Sequence, residues 1–221
     1  MSVNVNYFKN FVEFCANKVQ VGGTVSPAQF DFLANQAQLL IFEKDRQIFL
    51  QTQETSDYLE LFFKNLTTSV PPTGLLAYPS DFQHTASVRA YYVRAAGQST
   101  EITVDPVKNR DWGDIASSQL QRPTKRFPKY SEFKREYRFL PMDIGTVMVD
   151  YFATPRIPVW GFTMISGRPV YNPATSVDFQ FDEFAINAVA SAYLQFIGVN
   201  LKDGELSQFA QMFKQESNSP L

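Results

Sequence analysis

The placement of proline constrains this fold more than any other feature of the sequence. Eleven of the thirteen prolines lie between Pro71 and Pro173, and the rest of the chain contains only Pro27 and Pro220. A proline inside a helix removes a backbone hydrogen bond and clashes with the preceding turn. Long helices are therefore expected in the two flanks of the chain and not in its middle.

The N-terminal flank has helical periodicity. A first apolar stripe ends at the glycine pair 22-23, and the sequence SPAQ then supplies a capping serine, Ser26, with proline at the first helical position and glutamine three residues after the cap. The segment SDYLELFFKNL predicts a third helix. The stripe of the first helix is Phe8, Phe11, Val12, Cys15 and Val19, and that of the second is Phe30, Leu33, Ala37, Leu40 and Ile41.

The C-terminal flank contains the most apolar helix. The segment FDEFAINAVASAYLQFIGVN, from Phe181 to Asn200, is apolar almost all the way round. Its acidic start, at Asp178, Asp182 and Glu183, suits a helix N-terminus without a bound cation. Two coverings remain open, namely the other helices of the same chain or neighbouring copies of it. The residues predicted to lie in the core or at a contact between copies are Phe184, Ile186, Val189, Tyr193, Phe196 and Ile197. A last helix is predicted around Leu206, Phe209, Ala210 and Phe213.

The middle of the chain has the pattern of strands. TASVRAYYVRAAGQSTEITVD predicts two strands that join near Ala96-Gly97. In RFPKYSEFKREYRFL, Phe133, Arg135, Tyr137 and Phe139 alternate with charged residues, and GTVMVDYFATP is apolar on both faces, as in an inner strand. We therefore predict an α+β protein: a helical domain from residues 1–70 and 181–221, with a small antiparallel β domain, a sandwich or a barrel, inserted at 71–180.

The residues that most catalytic and cofactor sites require are scarce. His84 is the single histidine and Cys15 the single cysteine, and the ten glycines form neither a dinucleotide-binding nor a phosphate-binding loop. Asp111 and Asp114 beside Trp112 could serve as the carboxylate pair of a hydrolase, but a turn with an anchoring tryptophan explains them as well. We expect no catalytic residue, no metal site and no cofactor, and hence no enzyme.

Charge is distributed unevenly along the chain. The net charge is −2, yet residues 108–138 contain nine basic and four acidic residues, which leaves −7 for the remainder. Such a segment can bind a phosphate backbone or an acidic protein surface, or form a solvated hairpin face. The candidate partner-binding residues are Arg122, Lys125, Arg126, Lys129, Lys134, Arg135 and Arg138.

Neither export nor membrane insertion is expected. The N-terminal sequence MSVNVNYFKN lacks a basic region followed by an apolar one, and no run reaches the roughly 18 apolar residues of a membrane span. We therefore expect a soluble protein with no partner in a membrane.

Four sequences between residues 75 and 215 resemble a known protein family. They are LAYPSDFQHTASVRAYY, ITVDPVKNRDWGDIASSQLQRPTKRFPKY, LPMDIGTVMVDYFATPRIPVWGF and DFQFDEFAINAVASAYLQFIGVNLKDGELSQFAQ. In this order they resemble the neck, or head-to-tail connector, ring proteins of tailed bacteriophages, with crAss-like phages and their relatives as the nearest group. The first sixty residues carry no motif of that family.

The resemblance implies a structural role in the virion. It implies a ring, usually of twelve copies, that contacts the portal or adjacent neck and tail rings and surrounds the DNA channel, with assembly in the host cytoplasm. Non-specific contact with the channel DNA is a further expectation. The alternative function is a non-catalytic module that binds a glycan or peptide through Trp112, Trp160 and tyrosines of the β domain.

Overall fold

The computed structural model describes residues 3–16, 25–52, 57–93, 99–120 and 122–200. The predicted turns at 22-23 and 96-97, the stripe position Val19 and the last helix lie outside these ranges. The α-helices are α1 (Val5–Cys15), α2 (Pro27–Thr52), α3 (Asp57–Glu60), α4 (Trp112–Ser117) and α5 (Glu183–Asn200). The strands are β1 (Phe63–Ser69), β2 (Leu75–Ala77), β3 (Phe82–Val93), β4 (Ser99–Thr103), β5 (Asp105–Pro106), β6 (Lys129–Phe133), β7 (Glu136–Leu140), β8 (Thr146–Ala153), β9 (Phe162–Ile165) and β10 (Arg168–Tyr171).

The α+β class predicted from the proline pattern is confirmed, since long helices come from both ends of the chain and a small β domain lies between them. The chain divides into two compact units: Met1–Leu61 with Pro155–Leu221, and Phe62–Thr154. We refer to these as the helical unit and the β unit. Their limits differ from the predicted domain limits of 70/71 and 180/181, because residues 155–180, including β9 and β10, belong to the helical unit.

The start of α2 forms as the SPAQ motif predicts. The Ser26 hydroxyl accepts a hydrogen bond from the Gln29 amide at 3.3 Å, and the Gln29 side chain accepts one from the Ser26 amide at 3.1 Å. This reciprocal capping box satisfies two amides that the first helical turn leaves without partners. The buried stripe of α2 differs in part from the prediction, because Leu40 is exposed and Gln38 and Asp45 are buried.

Asp178 and Asp182 each bind a helix N-terminus. The Asp178 carboxylate accepts a hydrogen bond from the Val5 amide at 2.8 Å, so it stabilises the start of α1 and not of α5. Asp182 performs that role at α5, where its side chain accepts a hydrogen bond from the Ala185 amide at 3.0 Å. Helix α5 continues past Gly198 to Asn200.

The prediction of a third helix over SDYLELFFKNL is wrong for most of that segment. Only Asp57–Glu60 is helical, and the chain enters β1 at Phe63. Strand β1 pairs antiparallel with β8, from Phe63 opposite Phe152 to Ser69 opposite Thr146. The full ladder with β8 outweighs the weak helical preference of FKNLTTS, whose threonines favour strands.

Aromatic rings form the core of the helical unit. Phe8 of α1 lies 4.6 Å from Phe179 and 5.7 Å from Tyr193 of α5, measured between ring centroids. Phe30 of α2 lies 5.6 Å from Tyr193. These four side chains are fully buried, so three helices and the segment before α5 meet around one aromatic cluster.

The β unit contains two four-stranded sheets that share a core. One sheet has the order β1-β8-β3-β4 and the other β2-β7-β6-β5. All pairings are antiparallel except the two-residue pairing of β5 with β6. The buried residues between the sheets are Val88, Ala90, Val104, Tyr130, Tyr137, Phe139, Ile144, Val147 and Val149. The arrangement is therefore a small two-sheet sandwich, with β8 as the inner strand that its apolar pattern predicted.

The predicted alternation in RFPKYSEFKREYRFL is interrupted by a turn. Strand β6 ends at Phe133 and β7 begins at Glu136, and Lys134 and Arg135 form the two-residue connection. Phe133 therefore does not share a face with Tyr137 and Phe139, which are buried in the core. The alternation holds only within β7.

Candidate interaction surfaces

The residues considered for a hydrolase site lie in two adjoining short helical turns. Asp111 lies at the end of a 3₁₀ turn and pairs with its neighbour Arg110 at 3.2 Å. Asp114 and Trp112 lie in the first turn of the short helix α4. Within the described ranges, no group of three or more His, Cys, Asp or Glu side chains has the arrangement of a metal site.

Cys15 belongs to the predicted apolar stripe of the first helix, and in the structure it is a half-buried free thiol. Partial burial raises the pKa of its thiol above the ordinary value. A raised pKa lowers the fraction of thiolate, which is the reactive form. The residue therefore shows no sign of a reactive cysteine.

The candidate residues of α5 are largely covered by their own chain. Ile186, Val189, Tyr193 and Ile197 are buried, and Phe196 is half-buried. The side chain of Phe184 lies outside the described part of the structure. Of the two coverings left open by the sequence, the structure therefore shows the first for these described residues, because other parts of the same chain bury them.

The candidate basic residues lie in two groups, one before β6 and one at the β6–β7 turn. In the first group, Lys125 pairs with Asp143 at 2.8 Å, and Lys129 lies 3.9 Å from Asp105. Two further members of this group, Arg122 and Arg126, are exposed. Much of the charge in this first group is therefore neutralised by acidic residues of the same unit.

The second group surrounds Phe133 at the β6–β7 turn. The Arg138 guanidinium lies 3.9 Å from the Phe133 ring centroid, and the Lys134 ammonium lies 5.3 Å from it. Arg135 occupies the turn itself, and its carbonyl oxygen accepts a hydrogen bond from the Tyr78 amide at 3.0 Å. We call Phe133, Lys134, Arg135 and Arg138 the basic tip.

The β9–β10 hairpin is an exposed apolar surface that the sequence analysis did not select. The exposed fraction is 42% for Phe162, 60% for Met164 and 57% for Ile165. Val170 on β10 is also exposed, and among the described residues the hairpin forms a separate two-stranded sheet. The sequence FTMISGRPVY could have indicated this hairpin, because Ser-Gly between two apolar runs is a hairpin turn signal.

Trp160 anchors the base of this hairpin from inside the helical unit. Its ring stacks on Phe162 at 5.9 Å, with an angle of 19° between the ring planes. Its indole N–H donates to the Asn6 side chain at 2.9 Å, and its backbone N–H donates to Asp31 at 2.7 Å. The Lys9 ammonium lies 4.6 Å above the ring.

This position removes Trp160 from the aromatic binding surface predicted for the β domain. Trp160 is buried, and it belongs to the helical unit. It therefore cannot stack on a glycan as that prediction required. Trp112, the other tryptophan of the prediction, is half-buried.

A groove of about 400 Å³ lies between α1 and α5 in the helical unit. Phe8, Phe11 and Ile186 form its apolar part, and Asn4, Glu183 and Asn187 supply polar groups. Nothing in the structure indicates a ligand for this groove.

Comparison with models of known protein families and with curated protein sequences gives no match for this chain. Among the described helices, none combines the length and the apolar character needed to cross a bilayer.

Proposed function

We propose that this protein is a structural subunit of the neck of a tailed bacteriophage, where copies of the chain associate into a ring. Two observations support the proposal. The four sequences between residues 75 and 215 resemble neck ring proteins in their order. The observation that carries the proposal is the β9–β10 hairpin, which provides a surface for contact between copies.

A two-stranded hairpin is marginally stable alone in water, and apolar side chains on both of its faces increase the free-energy cost of exposure. Phe162 and Met164 point to one face, whereas Ile165 and Val170 belong to the other. The outer edges of both strands also have backbone groups without strand partners among the described residues. Burial of this hairpin against a second copy removes these apolar side chains from water.

The surface proposed for contact between copies is the hairpin, and it differs from the α5 residues named from the sequence. The residues of α5 were predicted to lie in the core or at a contact between copies, and the chain itself covers most of those that the structure describes. The hairpin takes its place in the proposal. A contact between the hairpin of one copy and a different surface of the next is heterologous, and heterologous contacts close into rings when the rotation allows it.

Other features of the proposal depend on the resemblance alone. These are a copy number near twelve, docking on the portal or on adjacent neck and tail rings, passage of DNA through the centre, and location in the virion. No catalytic activity, metal or cofactor forms part of the proposed function.

The test compares single substitutions of exposed apolar residues in the full chain. Met164→Asp and Ile165→Asp are expected to abolish rings in electron micrographs and native mass spectra, because each introduces a charge into the proposed contact. The matched control is Leu120→Asp, because Leu120 is 99% exposed and lies in the β unit. The control is expected to keep the rings, and all three variants should keep their unfolding free energy within about 0.5 kcal/mol.

A wild-type chain that stays monomeric in every buffer and is absent from purified particles would contradict the proposed function. If rings survive both hairpin substitutions, the chain self-associates, but the hairpin is not the contact between copies.

A further inference from the structure

The turn at the basic tip has an unusual composition for its geometry. Lys134 and Arg135 have φ angles of 53° and 65°, so both residues of the β6–β7 connection are left-handed. Two-residue hairpin turns with this geometry favour Asn-Gly. Gly has no Cβ and Asn tolerates a left-handed backbone, whereas most other residues are strained there. The β9–β10 hairpin follows this preference in part, with Ser166 and Gly167 at its left-handed positions. The β6–β7 turn instead places two long cationic side chains where the backbone favours Asn and Gly.

Strained backbone that persists in a fold is often associated with function. The basic tip is held firmly, because the Tyr78 amide donates to the Arg135 carbonyl and the Arg138 guanidinium stacks on Phe133. Lys134 and Arg135 are exposed, and among the described residues neither forms an ion pair. The positive charge of these two side chains therefore remains available to a partner.

We propose that the basic tip binds carboxylates on the surface of a second copy of this chain. This inference rests on the proposed function, because it requires self-association. The chain has the complementary charge, since the residues outside 108–138 sum to −7. Opposite charge on two surfaces accelerates association and sets the orientation of the contact.

The charges around the turn favour a protein partner over DNA. Glu132 and Glu136 lie within two residues of the turn, so the segment that forms the tip carries both carboxylates and cations. A phosphate backbone is uniformly negative and is repelled by these carboxylates, whereas a protein surface of mixed charge can pair with both signs.

The test replaces the turn by the sequence that its geometry favours. In the double variant Lys134→Asn with Arg135→Gly, the backbone strain falls and two positive charges disappear. We expect the urea midpoint to rise and the self-association constant at low salt to fall about tenfold, as sedimentation velocity would show. If the turn affects folding alone, the urea midpoint rises and the self-association constant does not change.

The matched control removes the same charge from the first basic group. Lys125→Gln with Arg126→Gln changes two exposed cations and leaves the turn intact. Unchanged association of this control supports the proposal, whereas an equal loss in both double variants would overturn it in favour of a general charge effect. Loss of binding to a fluorescent duplex DNA with unchanged self-association would also overturn it.

The two proposals fail in different ways. If wild-type rings form and persist unchanged in the Asn-Gly variant, the basic tip has no role between copies and the ring function stands. If the wild type does not self-associate at any salt concentration, the proposed function itself fails.

Discussion

At the scale of single residues, Tyr193 shows how closely the helical unit is packed. Its ring contacts Phe8 and Phe30 in the aromatic core. Its hydroxyl is buried, and among the described residues it has no hydrogen-bond partner. Burial therefore raises the pKa of Tyr193 above its ordinary value. The ring and the hydroxyl are expected to affect stability in opposite directions.

Substitution separates these two contributions. Tyr193→Ala removes the ring and should cost about 3 to 5 kcal/mol of unfolding free energy. Tyr193→Phe keeps the ring and removes a polar group that loses its hydration on folding, so stability should be unchanged or should rise by up to about 1 kcal/mol. Urea denaturation of both variants measures the difference. A loss above about 1.5 kcal/mol in Tyr193→Phe would show that the hydroxyl has a partner in solution.

Tyr130 predicts how stability depends on pH. Burial, with a smaller effect of the Glu132 carboxylate, raises the pKa of Tyr130 from 10.0 to about 12. Between these values the unfolded chain loses the phenolic proton while the folded chain retains it, so the folded state binds more protons. Stability is therefore complete below pH 10.0 and decreases as the pH rises toward about 12.

This dependence can be measured by urea denaturation across that alkaline range. In the Tyr130→Phe variant the slope of unfolding free energy against pH should be smaller by up to about 1.4 kcal/mol per pH unit. Some decrease should remain in the variant, because burial also raises the pKa of Tyr78 and Tyr137. Equal slopes in the wild type and the variant would show that Tyr130 titrates normally in the folded state.

At the scale of secondary-structure elements, Asp150 connects three strands of one sheet. It lies on β8 with an exposed fraction of 5%. Its carboxylate accepts hydrogen bonds from Asn65 on β1 at 2.5 Å, and from Ser87 and Arg89 on β3 at 2.5 and 2.8 Å. Arg89 also pairs with the exposed Glu101 on β4 at 2.9 Å. One buried carboxylate therefore organises the polar contacts across β1, β8 and β3.

The two partners of Arg89 offer a matched comparison. Asp150→Ala leaves buried donors without an acceptor and should cost about 3 kcal/mol. Glu101→Ala removes a partner in a solvent-exposed pair and should cost at most about 1 kcal/mol. Chemical denaturation of the two variants tests this order. Similar costs for both substitutions would mean that solvent reaches the Asp150 cluster.

Whether an element could be predicted depends on the sequence distance between the residues that form it. The capping box of α2 depends on four adjacent residues, so local chemistry was sufficient to predict it. The start of β1, FKNL, was assigned to a helix because its pairing with β8, more than seventy residues later in the chain, has no local signal. The two-residue turn after Phe133 was missed because Lys-Arg has none of the composition that normally indicates such a turn.

At the scale of the whole molecule, the division into two units has a consequence for folding. The β unit is one continuous segment, Phe62–Thr154, and has its own core between two sheets. The helical unit requires both ends of the chain. A fragment of residues 62–154 is therefore expected to fold by itself.

The measurement is a urea transition of this fragment followed by far-ultraviolet circular dichroism. A single cooperative transition would confirm independent folding, and the Val149→Ala variant of the fragment should shift it to lower urea because Val149 lies in that core. A non-cooperative signal in the fragment would show that its core needs the helical unit.

The sequence alone determined the class of the fold, because proline excludes long helices from the middle of the chain and apolar periodicity favours them in the flanks. Charge distribution likewise identified residues 108–138 as the basic segment. Only the tertiary structure decided which apolar residues stay exposed, because burial depends on contacts between distant segments. It covers Val189 and Tyr193 of α5 and leaves Met164 and Ile165 of the hairpin exposed, although all four are apolar in the sequence.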